Sequence, residues 1–443
     1  MKLLLNIYLL FFSSWIISCN TTEPPYPPPV VQPTISLELD DAHCTESWLQ
    51  LTTKNLELPA ELTLKQFNPS GDSLSQVFIL NTKDSLLHID SLLPNQNYKF
   101  KAFLKTTDNP QPTTNLLPVT TMDTTSHNFT FETITFGGAI GSSVLYDVAI
   151  INENNIWAVG EIWIADTNSL GYTKYNAVHW DGIQWELKRI PFYFNGQPSY
   201  EPIKAIFAFN ENDIWFGIGS MIHWDGTEFY SISTSSVFPS LVNKIWGSSS
   251  NNLFIVGTNG NMAFYNGTIW QRIESNTTLN INDIWGDYNE KTGQWEILAV
   301  GGNILAGYDN IILKIQSNNS IQKINSDSVN WPLGTLWLNG GENYYIALSG
   351  IYQKHNLNER FWKNDIYSIS SYTIFRIRGQ EINDILATGG AGEVIHFNGY
   401  SWKSFIENTQ LLSGNYYGCS ISGNKIIAVG QNNPMAVITI GSR

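Results

Sequence analysis

Past Asp123 the apolar residues of this chain fall in short runs of four or five, bounded by polar and glycine-containing turns. That is a strand pattern and not a helical one. The unit beginning at Ile245 shows it most plainly: IWGSSSNNLFIVGTNGNMAFYNGTIWQRI. A first strand ends at Trp246-Gly247, and SSSNN turns the chain. Leu253 to Val256 make the second strand, Thr258-Asn259-Gly260 turn again, and Met262 to Tyr265 make the third. Asn266-Gly267 then predicts a tight type I′ hairpin, whose two central residues need φ > 0. The fourth strand carries Trp270 and Ile273.

The pattern returns around it. Ahead lie NENNIWAVG from Asn152 with HWDGIQWELKRI from His179, then AIFAFNENDIWFGIGSMIHWDGTEFYSI from Ala205. Behind come DIWGDY from Asp283 with EILAVGG from Glu296, TLWLNGGENYYIALSGIYQKH from Thr335, RIRGQEINDILATGGAGEVIHFNGYSWKSF from Arg376, and SGNKIIAVGQ from Ser422. Uninterrupted units repeat about every 39–41 residues, the length of a four-stranded propeller blade. Residues 127–443 therefore predict a seven-bladed β-propeller. The last unit runs out after its third strand, Ala436 to Ile440. Phe129 to Phe136 has fourth-strand spacing, with Phe131 and Ile134 matching Trp270 and Ile273. That N-terminal strand is expected to complete the last blade and remove an open sheet edge.

The blades have WD-repeat length without that family's Gly-His and Trp-Asp placement. Gly301-Gly302, Gly389-Gly390 and the hairpin from Trp180-Asp181-Gly182 to Trp185 resemble Kelch repeats, and the same hairpin is similar in part to the Asp-box of sialidase-like propellers.

Upstream, strand-like runs recur at Ile35–Leu39, Trp48–Thr52, Glu61–Phe67, Leu86–Ile89, Tyr98–Leu104 and Leu117–Thr121, which predicts a small β-sandwich over 35–122. Leu92-Leu93-Pro94-Asn95-Gln96-Asn97-Tyr98, followed by Phe100 and Ala102, resembles the tyrosine corner of fibronectin type III domains; Trp48 stands several residues early for that family's core Trp. The resemblance implies a spacer or adhesion module without chemistry. The fold class expected of the whole is all-β, a small sandwich followed by the propeller.

The N-terminus has a different character. Lys2 precedes an apolar stretch from Leu3 to Ile17, the length of a signal-peptide core and short of the ~20 residues a spanning helix needs. It ends Ile16-Ile17-Ser18-Cys19, which resembles the lipobox of bacterial lipoproteins. The resemblance implies removal of 1–18, acylation of Cys19 and a membrane anchor, with the outer membrane the first expectation. Residues 19–34 include TTEPPYPPPVVQPT, an extended Pro-rich linker.

Composition narrows the partners. A net charge of −14 without any basic run speaks against nucleic acid, whose binding needs clustered Lys and Arg. Cys44 and Cys419 read as two buried thiols, and no Cys or His spacing predicts a metal site. The recurring Trp residues, one per blade, read as packing between blades. His179, His223 and His396 share one repeat position, which spreads them around the ring and predicts structural hydrogen bonds.

Candidate chemistry lies where the repeat is broken. Two insertions in the first blade region, Glu161 to Asn176 and Pro191 to Pro202, are expected on the same face. They offer Trp163, Tyr172, Tyr175, Phe192, Tyr193, Phe194 and Tyr200 as a ligand-binding set, with Asp166 and Glu201 nearby. Aromatic, mostly uncharged loops suit carbohydrate or protein surfaces; the alternative is that the rings pack on one another. Two further insertions, Asp287 to Gln294 and Ile315 to Trp331, suggest no role. No nucleophile elbow, zinc-hydrolase helix motif, phosphate loop or arginine triad is present. No catalytic residue, cofactor or metal is expected, and the chain is expected to be a monomer. The expectation is a cell-envelope binding or scaffolding protein, with a glycan-active propeller enzyme or a surface adhesin as alternatives. A cluster of carboxylates in the central channel would favour the enzyme.

Overall fold

The computed structural model describes residues 31–105, 111–303, 307–364, 369–409, 411 and 413–443. Cys19, the signal-like stretch and most of the Pro-rich linker lie outside them. The chain divides into two compact units. The first runs up to Asp40 and continues through Trp48–His88 and Tyr98–Val119; the second takes Asp41–Ser47, Ile89–Asn97 and Thr120–Arg443.

In the first unit, Thr34–Ala42, Ser47–Lys54 and Asp84–Ile89 form a three-stranded sheet, and Ala60–Phe67 pairs with Ser73–Leu80 and Asn97–Leu104 in a four-stranded one. Alternate residues point inward, so Leu49, Leu51, Leu62, Leu64, Phe100 and Ala102 are buried. Ser73–Leu80 is a strand the sequence pattern did not announce. It is an edge strand whose Leu74, Val77 and Ile79 stay exposed, so no buried face imprints a period on it.

In the second unit the described residues make a series of antiparallel sheets of three or four strands. Their first strands are Val144–Asn152, Ala205–Asn210, Val242–Ser249, Ile281–Asn289, Leu333–Asn339, Ile374–Glu381 and Asn415–Ser422. Each first strand neighbours the next, and the last returns to the first, so the seven close a ring. The final sheet is completed by Thr130–Gly137, which pairs antiparallel with Met435–Ser442, Ile134 opposite Ile438. The edge left by the C-terminal strand is thereby occupied, as the spacing of Phe131 and Ile134 predicts. Buried side chains of neighbouring sheets interdigitate: Trp246, Phe254 and Met262 of one pack with Ile284, Ile297 and Leu313 of the next.

The Asn266-Gly267 hairpin differs from expectation. Only Gly267 has positive φ (87°), and four residues, not two, separate the paired Tyr265 and Trp270. The Asn266 side chain does the turning: its Oδ1 accepts from the amides of Thr268 and Ile269 at 3.0 and 2.9 Å. Asp181, Asp225 and Asn398 hold the equivalent turns in the same way. The glycine is required twice over, because a Cβ on Gly399 (φ 89°) would stand 2.6 Å from Asn383 Cβ.

The third-strand histidines serve structure. His179 Nε2 meets Asn155 Oδ1 at 2.9 Å, His223 meets Asp213 at 2.8 Å and His396 meets Asp384 at 2.6 Å. The same Asn155 and Asp213 oxygens accept from the indoles of Trp157 and Trp215 at 3.1 and 3.0 Å. One acceptor at the start of the second strand thus ties down the His and the Trp that stack beside it, with ring centroids 4.2 Å apart in both sheets. Cys44 and Cys419 are both buried and free.

Candidate functional site

The two first-blade insertions are ordered hairpins. Asn155–Ala165 and Tyr172–Trp180 continue pairing past the length of the other sheets, with Trp163 opposite Lys174 and Ala165 opposite Tyr172. Phe192–Phe194 and Gln197–Ser199 form a second, two-stranded hairpin. Its turn is Asn195-Gly196, both with positive φ (49° and 76°), the type I′ signature.

One buried amide side chain anchors this second insertion. Asn176 Oδ1 accepts from the Ile190 amide at 2.8 Å, and its Nδ2 donates to Ile190 O and Glu201 O at 2.9 and 3.1 Å. The Ile203 amide donates to Gly160 O at 3.1 Å, so both insertions emerge from the same end of the sheet. The hairpin then lies against the following sheet, where the Tyr193 amide donates to Ser231 Oγ at 2.7 Å.

Between the hairpin and that sheet runs a groove of about 820 Å³. Its apolar wall is Phe192, Tyr193, Phe194, Pro202, Ile218 and Leu241; its polar fringe is Ser199, Ser220, Ser231, Ser233, Ser235 and Asn195, with one acid, Glu201, and one base, Lys204. Tyr193 and Phe194 are 48% and 69% exposed, so their ring faces are available to a ligand. Phe192 is turned inward against Ile206 and Phe216, which fixes the hairpin. Lys204 stands over the Tyr146 ring at 3.2 Å, and burial lowers its pKa from the ordinary lysine value.

Of the seven aromatic residues marked by sequence, the structure brings Phe192, Tyr193 and Phe194 to this groove. The others are occupied elsewhere. Trp163 packs with Tyr172 at 4.8 Å and carries Lys174 on its ring at 3.9 Å, which holds the long hairpin together. Tyr175 packs against the core shared with Ile162 and Val178. Tyr200 stacks on the Arg189 guanidinium at 3.7 Å. Asp166 closes the hairpin tip through Asn168 and Thr173. The serines of the fringe went unmarked because serine-rich loops are unremarkable in any β protein; only the fold puts Ser231, Ser233 and Ser235 along one wall.

The ring of first strands carries the second concentration of chemistry. Lys244 Nζ contacts both oxygens of Asp147, at 2.6 and 2.5 Å, and both groups are buried. Burial pushes the Lys244 amine down to about 8, against the opposing pull of Asp147. Asp283 receives a bidentate pair from Arg378, at 2.9 and 2.8 Å, with Arg376 Nη1 3.1 Å away. Burial opposes ionisation of Asp283, but the guanidinium groups of Arg378 and Arg376 outweigh it and hold the carboxyl well below the ordinary carboxylate range. Each of these two carboxylates is therefore paired with a buried cation.

Among the described residues one group has metal-ligand geometry: Asp41, His43 and Glu342, with donor atoms within 4.8 Å of one another. In this structure these donors serve ion pairs, His43 Nε2 with Asp41 at 2.6 Å and Lys291 with Glu342 at 3.0 Å.

No protein-family model matches the chain, and no curated protein matches it. Solved structures do. The structure described as "YCF48 bound to D1 peptide" superposes with a TM-score of 0.52 at 14% identity, covering 72% of this chain and 98% of that one. The fold is of the β-propeller type. A C-terminal WD40 domain of Sif2 is also similar, at a TM-score of 0.44 and 11% identity over 70% of this chain and 98% of that one.

Proposed function

We propose that this chain is a lipid-anchored cell-envelope binding protein. In this reading Cys19 carries the lipid, residues 19–34 are the stalk, 35–122 a fibronectin type III-like sandwich, and 127–443 a seven-bladed propeller that presents the groove beside Phe192–Phe194 to a ligand. The protein acts as a monomer, at the outer membrane. The ligand is a carbohydrate chain. The observation that carries this is the groove itself: Tyr193 and Phe194 stand exposed in a lining that also holds Ser199, Ser220, Ser231, Ser233 and Ser235. Rings offer apolar area to the C–H faces of a sugar at little entropic cost, and hydroxyls exchange hydrogen bonds with its OH groups. The near absence of charge in the lining suits a neutral ligand.

A glycan-array screen with the purified chain tests this, repeated with Tyr193→Ala and Phe194→Ala. Binding that falls at least tenfold in both variants supports the reading. Binding unaffected by either removes the groove, and no binding to any glycan removes the sugar. A second reading has one observation in its favour: Phe194 and Leu241, 69% and 53% exposed, offer a sugar no hydrogen bond and suit a protein segment instead. Lipidation is tested separately, by mass spectrometry of the membrane-extracted chain and of its Cys19→Ser variant.

A further inference from the structure

The two insertions without an assigned role, Asp287 to Gln294 and Ile315 to Trp331, belong to one sheet, and the fold brings them together. That sheet runs in the order Ile281–Asn289, Gln294–Gly302, Asn310–Ile315 and Ile321–Ile324. The first insertion lengthens its opening hairpin to nine residues a strand, against six in Asn252–Gly257 of the preceding sheet. Pairing continues to the tip, with Tyr288 opposite Trp295 and Asn289 opposite Gln294. There the Gly293 amide donates to Asn289 O at 2.8 Å, and Lys291 pairs with Glu342 at 3.0 Å. The second insertion opens with a turn over 316–320, closed by the Gln316 amide on Ser320 O at 2.9 Å, with Asn319 in the left-handed region (φ 62°). In an antiparallel sheet the first-to-second and third-to-fourth turns fall at the same end, so the insertions meet. The Phe192–Phe194 hairpin follows a fourth strand and leaves from the other end.

With the first turn of the preceding sheet, these two turns line a groove of about 560 Å³. Its polar lining is Asn251, Asn252, Gln294, Gln316, Ser317 and Asn319, and no charged side chain takes part. Asn252 Nδ2 donates to Ser248 Oγ at 2.8 Å and Gln316 Nε2 to Gln322 Oε1 at 2.7 Å, which fixes those two amides. The side chains of Asn251, Gln294, Ser317 and Asn319 make no hydrogen bond among the described residues. The apolar surface on offer is concentrated in one ring. Phe254, Ile297 and Ile315 are buried in the core, while Trp295 is 44% exposed. Trp246 and Tyr288 brace its indole edge-on, with ring centroids 5.6 and 5.5 Å away.

A braced, half-open indole among neutral amides suits a sugar. The ring takes a C–H face, and each amide offers donors and an acceptor to neighbouring hydroxyls. A protein segment would need open apolar sockets for its anchors, and the aliphatic side chains here are already buried. We propose that this groove binds a neutral oligosaccharide seated on Trp295. The site is separate from the groove beside Phe192–Phe194 and does not rest on that reading.

The test is calorimetric titration of the full chain carrying Tyr193→Ala and Phe194→Ala, which silence the other groove, with cellohexaose, laminarihexaose, maltohexaose, mannohexaose and chitohexaose as probes. Saturable binding of at least one is expected, and Trp295→Ala added to that background should weaken it about tenfold or more. Should the added change not fold, Gln294→Ala takes its place at an exposed side chain and should weaken binding about threefold. Because no charge lines the groove, raising the salt from about 50 to about 500 mM should leave the affinity within about twofold. The two readings fail separately: binding that survives in the double variant belongs to the Trp295 groove, and binding lost in it belongs to the other. Loss in the double variant, no binding of any probe, an affinity unmoved by Trp295→Ala (or by Gln294→Ala in its place), or a steep fall with salt would overturn the proposal.

Discussion

The groove and the charged cluster on the first strands are built on the same repeating sheet, and they solve opposite problems. In the groove, Tyr193 and Phe194 leave apolar surface in water, held out by a hairpin tied down by its own backbone pairing, by the Tyr193 amide on Ser231 Oγ and by the inward Phe192. At the centre, Asp147, Lys244, Asp283, Arg376 and Arg378 bury charge, and each carboxylate is over-subscribed with donors. An exposed ring costs the fold little, so it is free to be selected for a ligand. A buried ion pair is different: its partners depend on one another, and removing one strands the rest.

That contrast sets the order of the expected effects. Asp283→Asn should be the largest, because it leaves two buried guanidinium groups without their counter-charge; a loss of about 3–5 kcal/mol is expected in urea unfolding. A loss below about 1 kcal/mol would mean that the cluster is more open to solvent than its burial indicates.

An intermediate effect is expected at the closing strand. His127 Nδ1 meets His396 Nδ1 at 2.9 Å, His396 reaches Asp384, and Arg443 pairs with Asp384, so residues flanking both closing strands share one network. Burial, then the charges of His396 and Lys403, lower the His127 pKa to about 4 from its ordinary 6.5. The folded state thus favours the neutral ring. Its contribution is complete above pH 6.5 and is lost as the pH falls from 6.5 towards 4. The urea midpoint should drop across that window, and His127→Gln should flatten the drop. An equal slope in both proteins would assign the acid sensitivity to other groups.

The smallest effect on stability is expected at the groove. Tyr193→Ala should change unfolding by no more than about 0.5 kcal/mol, since its ring is half exposed and away from the core. The same change should remove ligand binding. A stability loss above 2 kcal/mol would show that Tyr193 belongs to the packing, as Phe192 does.

Much of this architecture is written locally. Alternation of apolar positions, the Asx-Gly turns and the repeat length are short-range signals, and they determine where the strands of the ring begin and end. Even the closing strand is legible, because Phe131 and Ile134 repeat the spacing of Trp270 and Ile273. The histidine pattern is local too: a third-strand His faces a second-strand Asn or Asp at a constant offset, so its hydrogen bond follows from the register.

What only the tertiary structure decided is which residues of different repeats meet. Trp163, Tyr172, Tyr175 and Tyr200 look as available as Tyr193 in the chain, yet each finds a partner within a few residues or across one hairpin. The serine wall of the groove, and the meeting of Asp283 with Arg378 across 95 positions, leave no local trace. Strand periodicity reports which face of a sheet is buried; it carries no information about which neighbour lies on that face. Partner choice in this ring is set by closure, and closure is a property of all the sheets at once.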